Sequence, residues 1–407
     1  MDTTIQKSYY CYLETFIKTH MDRLRNVRVF IFGAGIRGCN LVRLLKIYGV
    51  EDIFFVDNNK EKQGIVIEGC YVLDFESADA YQDKNVFLCP IEKGESILEQ
   101  LASTGRKENL DYYNLDFQFT DYADLIEEIN RPTDNYAWIF GCCILSSYIL
   151  GDKMGISLGE MLREKFSAVE CKVGSLPGFY SAIYYYMINS LLERNKPKFV
   201  LISMEISSLS PYAPIMMGTQ NYEQHNLFIK ELQKVSPKSE EISKYQKVVE
   251  ERLERSKRER TMMGEYSDGA NRKVYKLKYL YKPREDDESV VYMKKILSQM
   301  EEMKVPVVLV FPPIDYQRGE YLFGDGFKKQ YIETRERYMS FLKGYAYQEI
   351  DASFIATSEY FVPPTNKPDI NPFLNIKGQE KFWKHLKEYE SIQGLLKEYG
   401  GLDDNKT

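Results

Sequence analysis

Tyr9, Leu13, Phe16, Ile17 and Leu24 recur at helical spacing, and the pattern predicts an amphipathic helix over residues 8–25. Val27-Arg-Val-Phe-Ile-Phe-Gly33 follows, a β-branched and aromatic run suited to a buried parallel strand. A helical pattern continues to about Tyr48, and Asp52-Ile-Phe-Phe-Val-Asp57 reads as a second strand, so the segment predicts a βαβ unit. Gly64–Leu73 reads as a short extended pair, Val86–Cys89 as a strand and residues 94–104 as a helix. Further strands are expected at Tyr136–Phe140, Lys198–Ser203, Val305–Phe311 and Ala346–Ile350. Helices are expected near 157–166, 179–194 and 377–389. Strands alternating with helices argue for doubly wound, largely parallel α/β sheets. The pattern changes between residues 210 and 290. There the densely charged stretch Lys238–Arg260 carries Ile242, Tyr245, Val249 and Leu253 on one face, as a solvated surface helix or as a lid or partner-binding insertion.

Length turns this pattern into a domain plan. At 407 residues the chain is expected to hold two to three domains. The plan is residues 1–125 as an N-terminal helix and nucleotide-binding domain, 126–134 as a linker, 135–399 as a second α/β domain and 400–407 as a tail. Composition is that of a globular chain, 44% hydrophobic and 28% charged. The net charge of -6 argues against a nucleic-acid partner, whose affinity would need clustered cations. No run of about 18 apolar residues predicts a transmembrane segment, and no signal-peptide pattern opens the chain. Seven cysteines, odd in number and without a CxxC pair, point to a reducing, cytoplasmic setting and to no metal site. The 32 tyrosines suit either a sugar-facing surface or a large core.

The first candidate chemistry is Gly33-Ala-Gly35-Ile-Arg-Gly38, a G-x-G-x-x-G turn between a strand and a helix. Its first glycine permits the turn, its second lets a pyrophosphate approach the backbone, and its third lets helix and strand pack. The helix N-terminus offers free N–H groups to the anion. Asp57, at the end of the second strand, is placed to bond a ribose hydroxyl. The alternative is a turn that keeps its glycines and binds nothing. Val56-Asp57-Asn58-Asn59-Lys60, Lys62-Gln-Gly64 and Ile67-Glu-Gly69-Cys-Tyr-Val72 extend the match. Residues 26–105 thereby resemble the N-terminal, Rossmann-like domain of sugar-modifying acyltransferases of the bacillosamine and sialic-acid type. The resemblance implies a nucleotide-sugar or similar nucleotide ligand and a place in bacterial surface-polysaccharide biosynthesis. The domain is short for a six-strand dinucleotide fold. A nicotinamide oxidoreductase is further disfavoured because no tyrosine–lysine proton-relay signature follows.

From Tyr136 onward the layout resembles the SGNH/GDSL hydrolase superfamily, which implies a flavodoxin-like, three-layer α/β/α domain. The family's Gly-Asp-Ser slot reads Gly141-Cys142-Cys143 and would make Cys143 the nucleophile. Its oxyanion glycine falls in Val173-Gly174-Ser-Leu-Pro-Gly178, with Gly174 the better fit. Ser207, in Met204-Glu205-Ile206-Ser207-Ser208, replaces the family's Asn. In Asn371-Pro-Phe373-Leu374-Asn375-Ile-Lys-Gly378 the last three family positions match. Phe373, however, stands where the His belongs and Ile370 where the Asp belongs, with Asp369 one position off. A cysteine depends less on a base than a serine, because a helix N-terminus lowers its pKa. Cys142 and Cys143 as small buried residues are the alternative. A second placement of the slot, at Leu150-Gly151-Asp152-Lys153, puts a lysine at the nucleophile position and is rejected. Glu205, Asp315 and Asp351 end strands on the face where α/β sheets bind ligands. Of the 3 histidines, His385 is expected to point elsewhere, and His225 is a candidate replacement base over Cys143.

Together these features predict an SGNH-like acyl esterase or acyltransferase of surface-polysaccharide biosynthesis or modification. Its substrate would be a small molecule or glycan and its cofactor a nucleotide-sugar or acetyl-CoA, with oligomerisation open. The competing expectation is a catalytically inactive module that binds a glycan or nucleotide-sugar through Gly33, Gly35, Gly38 and Asp57.

Overall fold

The computed structural model describes residues 4–81, 84–91, 94–117, 121–131, 133–150, 154–155, 157–176, 178–192, 195–211, 219–263, 276–362, 370 and 373–400. The expected Asp369, the Asn371-Pro372 pair, Gly151–Lys153, residues 401–407 of the tail and parts of the 210–290 insertion lie outside the described residues. The chain forms two compact units: Met1–Phe119 with Tyr148–Gly155, and Thr120–Ser147 with Ile156–Thr407.

In the first unit, β1 (Thr4–Gln6) leads into α1 (Lys7–Leu24), then β2 (Arg28–Phe32), α2 (Ile36–Ile47) and β3 (Ile53–Val56). The hairpin β4 (Val66–Ile67) and β5 (Cys70–Leu73), α3 (Phe75–Asp79), β6 (Asn85–Cys89), α4 (Glu95–Ser103) and β7 (Tyr112–Asn114) complete it. The sheet order is β4-β5-β3-β2-β6-β7, and every pair is parallel except β4 with β5. Successive strand residues face opposite sides. Val29, Ile31, Phe55 and Leu88 pack with α1 and α2, while Phe30, Phe32, Val56 and Phe87 pack with Ala78 of α3 and Leu101 of α4. This two-sided burial explains why the strands read as continuous apolar runs.

The chain continues through α5 (Asp121–Asn130), β8 (Tyr136–Gly141) and the single turn α6 (Cys143–Ser146). It then forms β9 (Ser147–Leu150) and β10 (Met154–Gly155), an antiparallel pair that joins β1 in a separate three-stranded sheet of the first unit. Tyr148 stacks on Tyr10 there, ring centroids 5.2 Å apart. Two domain expectations are thereby revised. Residues 121–130 are not the end of the first domain and a linker: Leu125 and Ile129 are core residues of the second unit. Residues 148–155 interrupt the expected 135–399 domain, because their strands pair with β1.

The second unit continues with α7 (Leu158–Lys165), β11 (Glu170–Ser175), α8 (Ser181–Leu192), β12 (Val200–Ser203) and α9 (Ile206–Leu209). Helices α10 (Thr219–Val235), α11 (Ser239–Met263) and α12 (Glu288–Glu302) follow, then β13 (Val307–Phe311), α13 (Tyr316–Phe323), α14 (Phe327–Ser340) and β14 (Gln348–Asp351). Helices α15 (Ile376–Leu386) and α16 (Glu390–Tyr399) close it. Its five strands are all parallel in the order β11-β8-β12-β13-β14. Tyr136, Trp138, Phe140, Ile202 and Leu309 face the core that includes Ile183, Met293 and Tyr338 of α8, α12 and α14. Ala137, Ile139, Leu201 and Val310 face Leu158, Phe382 and Ile392 of α7, α15 and α16. The unit is a three-layer α/β/α sandwich. Ile242, Tyr245 and Val249 of α11 are buried in the first of these cores, so this charged helix is an amphipathic core element rather than a solvated one.

β11 was not anticipated, because Glu170-Cys-Lys-Val-Gly-Ser175 mixes charge into an edge strand of the parallel sheet. Fully buried Lys172 reconciles the two: its ammonium donates to the carbonyl oxygens of Glu128 and Arg131 and pairs with Glu170. It thereby satisfies the last carbonyls of α5, a helix end that would otherwise be buried without partners.

Candidate functional site

In an open α/β sheet, ligands bind beyond the carboxyl ends of the strands, where strand order reverses. The first sheet reverses beside β2 and the second beside β8. The turn Gly33-Ala-Gly35 leaves β2, and the turn Gly141-Cys142-Cys143 leaves β8.

The three glycines of the first turn divide the labour that the sequence assigns them. Gly33 has φ +96°, a left-handed conformation that costs other residues about 1 kcal/mol or more. A Cβ on Gly38 would sit 2.0 Å from the Gly33 carbonyl oxygen, so helix and strand approach too closely for any side chain. A Cβ on Gly35 would meet nothing within 4 Å, which leaves open space over the start of α2. Asp57 clamps this turn. Its carboxylate accepts from the Ala34 amide at 2.9 Å and the Asn59 amide at 2.9 Å, and pairs with Lys62 at 3.0 Å. Burial disfavours the charge on Asp57, yet the two amides and Lys62 outweigh it and hold the carboxyl below its ordinary range. Asp57 is thus a charged group already tied into the turn, and Lys62, about one-third exposed, is the cation beside it.

The second turn has the same plan in different chemistry. Trp138 and Phe140 stack at 4.8 Å, and Phe140 stacks on Tyr184 at 4.9 Å, which fixes the end of β8. Cys142 caps the single turn α6, its backbone oxygen accepts from the Ser175 hydroxyl, and its amide donates to Glu205 Oε1 at 3.2 Å. Glu205 leaves β12, the neighbouring parallel strand. The two sulfurs lie 3.6 Å apart. Cys142 is 8% exposed, and Cys143 is half-buried.

Charge in this cluster settles on Cys142. The two thiols share a hydrogen bond; that bond, the amides of Gly178 and Cys143 and the positive field of Lys278 together outweigh burial and pull the Cys142 pKa down. Cys143 moves the other way, through the same shared hydrogen bond, the loss of water around its sulfur and the neighbouring Cys142 charge. Glu205 is pushed well up by burial and by the Cys142 charge, against the opposing pull of the Cys142 amide and Lys278. The opposed shifts favour a thiolate beside a protonated carboxylic acid, a combination that can pair a nucleophile with a proton donor.

Of the two thiols, these opposed shifts favour charge on Cys142 over Cys143, the expected nucleophile. Gly174 lies inside β11 in register with Phe140, and a Cβ there would meet the Phe140 ring at 2.5 Å and Met187 at 2.9 Å. It is a packing glycine; the amide that favours charge on the Cys142 sulfur is that of Gly178, which has φ +83°. Ser207 is buried in the short α9. Asp315 caps α13, accepting from the Arg318 amide at 2.9 Å and the Ser358 hydroxyl at 2.6 Å. Asp351 pairs with Arg335 and accepts from the Ser353 amide. Of the three expected acids of this unit, Glu205 is the one bonded to the thiol turn.

His385 bonds Tyr389 at 3.3 Å and lies 3.7 Å from Glu388, at the end of α15. His225 is buried in α10 with its ring 5.1 Å from that of Phe179. The matching Leu374-Asn375…Gly378 block has a structural purpose. Asn375 caps α15 by accepting from the Gly378 amide at 2.9 Å, and a Cβ on Gly378 would strike the Tyr360 carbonyl at 2.1 Å. The rejected Leu150–Lys153 slot follows β9, which lies in the small antiparallel sheet and not in the parallel one.

Sequence reasoning read Cys142 only as a small buried residue beside Cys143, placed Gly178 behind Gly174 and did not reach Lys278; the three lie far apart in the chain. Their signal was the Gly-Cys-Cys turn itself and a glycine after Pro177. A cavity of about 420 Å³ lies at the opposite, amino end of β13 and β14, lined by Val305, Pro306, Ala346 and Tyr347. It contains none of the candidate groups. Among the described residues no cluster of His, Cys, Asp or Glu suits a metal ion, and no helix is long and apolar enough to cross a membrane. Compared with known proteins, the chain matches no family model and no curated protein.

Proposed function

We propose that the second unit carries out thiol-dependent acyl transfer or acyl-ester hydrolysis, with Cys142 as nucleophile and Glu205 as proton shuttle. The observation that carries this reading is the Cys142–Cys143–Glu205 cluster at the switch point of a parallel sheet, with the Gly178 amide and Lys278 favouring a thiolate. The thiolate attacks the carbonyl carbon of an acyl ester or thioester and forms the C–S bond. The C–O or C–S bond to the leaving group breaks, and the leaving group takes the Glu205 proton. The Glu205 carboxylate then accepts the proton of an incoming hydroxyl, whose oxygen attacks the thioester and releases Cys142. A sugar hydroxyl as acceptor gives an acyltransferase, and water gives an esterase.

The strand order β11-β8-β12-β13-β14 is the 2-1-3-4-5 order of flavodoxin-like sheets and supports an SGNH-like reading of the unit. In the first unit, the parallel strands β5-β3-β2-β6-β7 run 3-2-1-4-5, the order of dinucleotide-binding sheets. Together with the open Gly35 this supports a nucleotide or nucleotide-sugar ligand and a bacterial surface-polysaccharide role. Acetyl-CoA is the acyl donor this reading favours. The inactive glycan- or nucleotide-sugar-binding module is the second reading, favoured by Phe373 in the place of the family's histidine.

Intact mass of the wild type, Cys142→Ala and Cys143→Ala after incubation with acetyl-CoA or an activated acetyl ester tests the proposal. A single acetyl adduct on the wild type and on Cys143→Ala, absent from Cys142→Ala, supports it. No adduct, or equal labelling of all three, turns the reading to the binding module.

A further inference from the structure

The thiol turn holds a second sulfur that acyl transfer does not use. Cys143 contributes no acyl chemistry in the proposal above, yet its sulfur is in contact with that of Cys142 at 3.6 Å. Both residues belong to one turn, where the Gly178 and Cys143 amides bond the first sulfur and Lys278 adds a positive field, and Cys143 is the more exposed of the two. Four of the other five thiols, Cys39, Cys70, Cys89 and Cys171, are buried and shifted upward, while Cys11 is exposed. Burial pushes Cys39 up to about 11 and Cys89 and Cys171 up to about 12, which makes them poor nucleophiles at neutral pH. None of the seven cysteines, all among the described residues, is in a disulfide.

We infer that Cys142 and Cys143 form a peroxide-sensitive dithiol, in which Cys142 is oxidised first and Cys143 resolves it to a vicinal disulfide. The Cys142 thiolate attacks a hydroperoxide oxygen; the S–O bond forms, the O–O bond breaks, and hydroxide leaves and is protonated to water. Cys142 is then a sulfenic acid. The Cys143 sulfur loses its proton and attacks the Cys142 sulfur; the S–S bond forms, the S–O bond breaks, and a second water leaves. The two sulfurs together lose two electrons and the peroxide gains two. Adjacent α-carbons are about 3.8 Å apart, closer than in ordinary disulfides, so the eight-membered ring is strained and readily reduced by a thiol. A resolving neighbour also shields Cys142 from irreversible over-oxidation. The inference needs the same ionised sulfur as the acyl-transfer reading but no acyl chemistry.

The test treats the full chain with hydrogen peroxide, blocks free thiols with iodoacetamide and digests with trypsin. Residues 108–153 form one tryptic peptide holding Cys142 and Cys143 and no other cysteine, because Arg131 precedes a proline. The wild-type peptide is expected to lose about 2 Da, the mass of two hydrogens, to take no label, and to regain both labels after dithiothreitol. Cys143→Ser is expected to gain one or two oxygens on Cys142 instead. Cys142→Ser is expected to stay reduced at Cys143 under conditions that convert the wild type. Oxygen gain on Cys142 of the wild type without the 2 Da loss, a disulfide to another cysteine, or oxidation of Cys142→Ser at the wild-type rate overturns the inference. A chain that forms the disulfide but takes no acetyl group retains this inference and loses the acyl-transfer reading alone.

Discussion

The two turns are built to one plan and charged in opposite ways. Each leaves a central parallel strand at the point where strand order reverses, and each opens on a glycine. In each, the amide of the next residue donates to a carboxyl group from the end of the adjacent strand: Ala34 to Asp57 at 2.9 Å, and Cys142 to Glu205 at 3.2 Å. The difference lies in what else meets the carboxyl. Asp57 has a second amide and Lys62, and stays charged. Glu205 is deeply buried beside a thiolate and stays neutral. One geometry therefore yields a polar clamp around an open glycine turn, suited to binding. The other yields a proton donor beside a nucleophile, suited to reaction.

The comparison breaks most visibly at the glycines. Gly38→Val places side-chain atoms against the Gly33 carbonyl and is expected to destabilise the first unit by about 3 kcal/mol or more, read by urea denaturation. Gly35→Ala enters open space and is expected to move stability by less than about 1 kcal/mol. On the nucleotide reading it nevertheless weakens binding of a uridine diphosphate sugar at least tenfold by calorimetry. Equal stability losses for the two variants would show that the glycines do not divide their labour as described.

The carboxyl groups give a smaller, sharper contrast. Asp57→Asn removes a charge held by two amides and a lysine and is expected to cost about 1–3 kcal/mol at pH 7. Glu205→Gln replaces a neutral acid by a neutral amide and is expected to cost less than about 1 kcal/mol at the same pH. Their pH dependence separates them further. The folded pKa of Asp57 lies below the unfolded one, so its contribution is fully present above the unfolded carboxyl pKa near 4. It fades as pH falls through the folded value. The stability advantage of the wild type over Asp57→Asn should therefore shrink below about pH 4. For Glu205 the folded pKa lies above the unfolded one, so its contribution is present at low pH and is lost as pH rises through the folded value. Parallel pH profiles for the two variants would contradict opposite protonation.

Much of this was legible in the chain. The βαβ unit and its glycine turn could be read because the apolar strand, the glycines and Asp57 lie within 31 consecutive residues, from Val27 to Asp57, and obey local geometry. Helix α7 and strand β13 were readable for the same reason. Strand β11 was not, because Lys172 draws its stability from the end of α5, some forty residues earlier. The boundary near residue 125 failed because α5 is assigned by packing of Leu125 and Ile129, which local pattern does not show. The identity of the charged cysteine was hidden for a related reason. Gly141-Cys142-Cys143 displays both thiols, but Gly178 and Lys278 choose between them.

That choice is also the point on which the reading of the second unit stands. The most direct measurement is the rate of iodoacetamide alkylation at each cysteine between pH 5 and 9, followed by mass of the 108–153 peptide. Cys142 is expected to react first, with a midpoint at least one unit below the ordinary cysteine pKa of about 8.5, and Cys143 to stay unlabelled until much higher pH. Replacing Lys278 by Met should move the Cys142 midpoint upward. Preferential labelling of Cys143, or an ordinary midpoint at Cys142, would contradict the assignment of charge and with it the nucleophile.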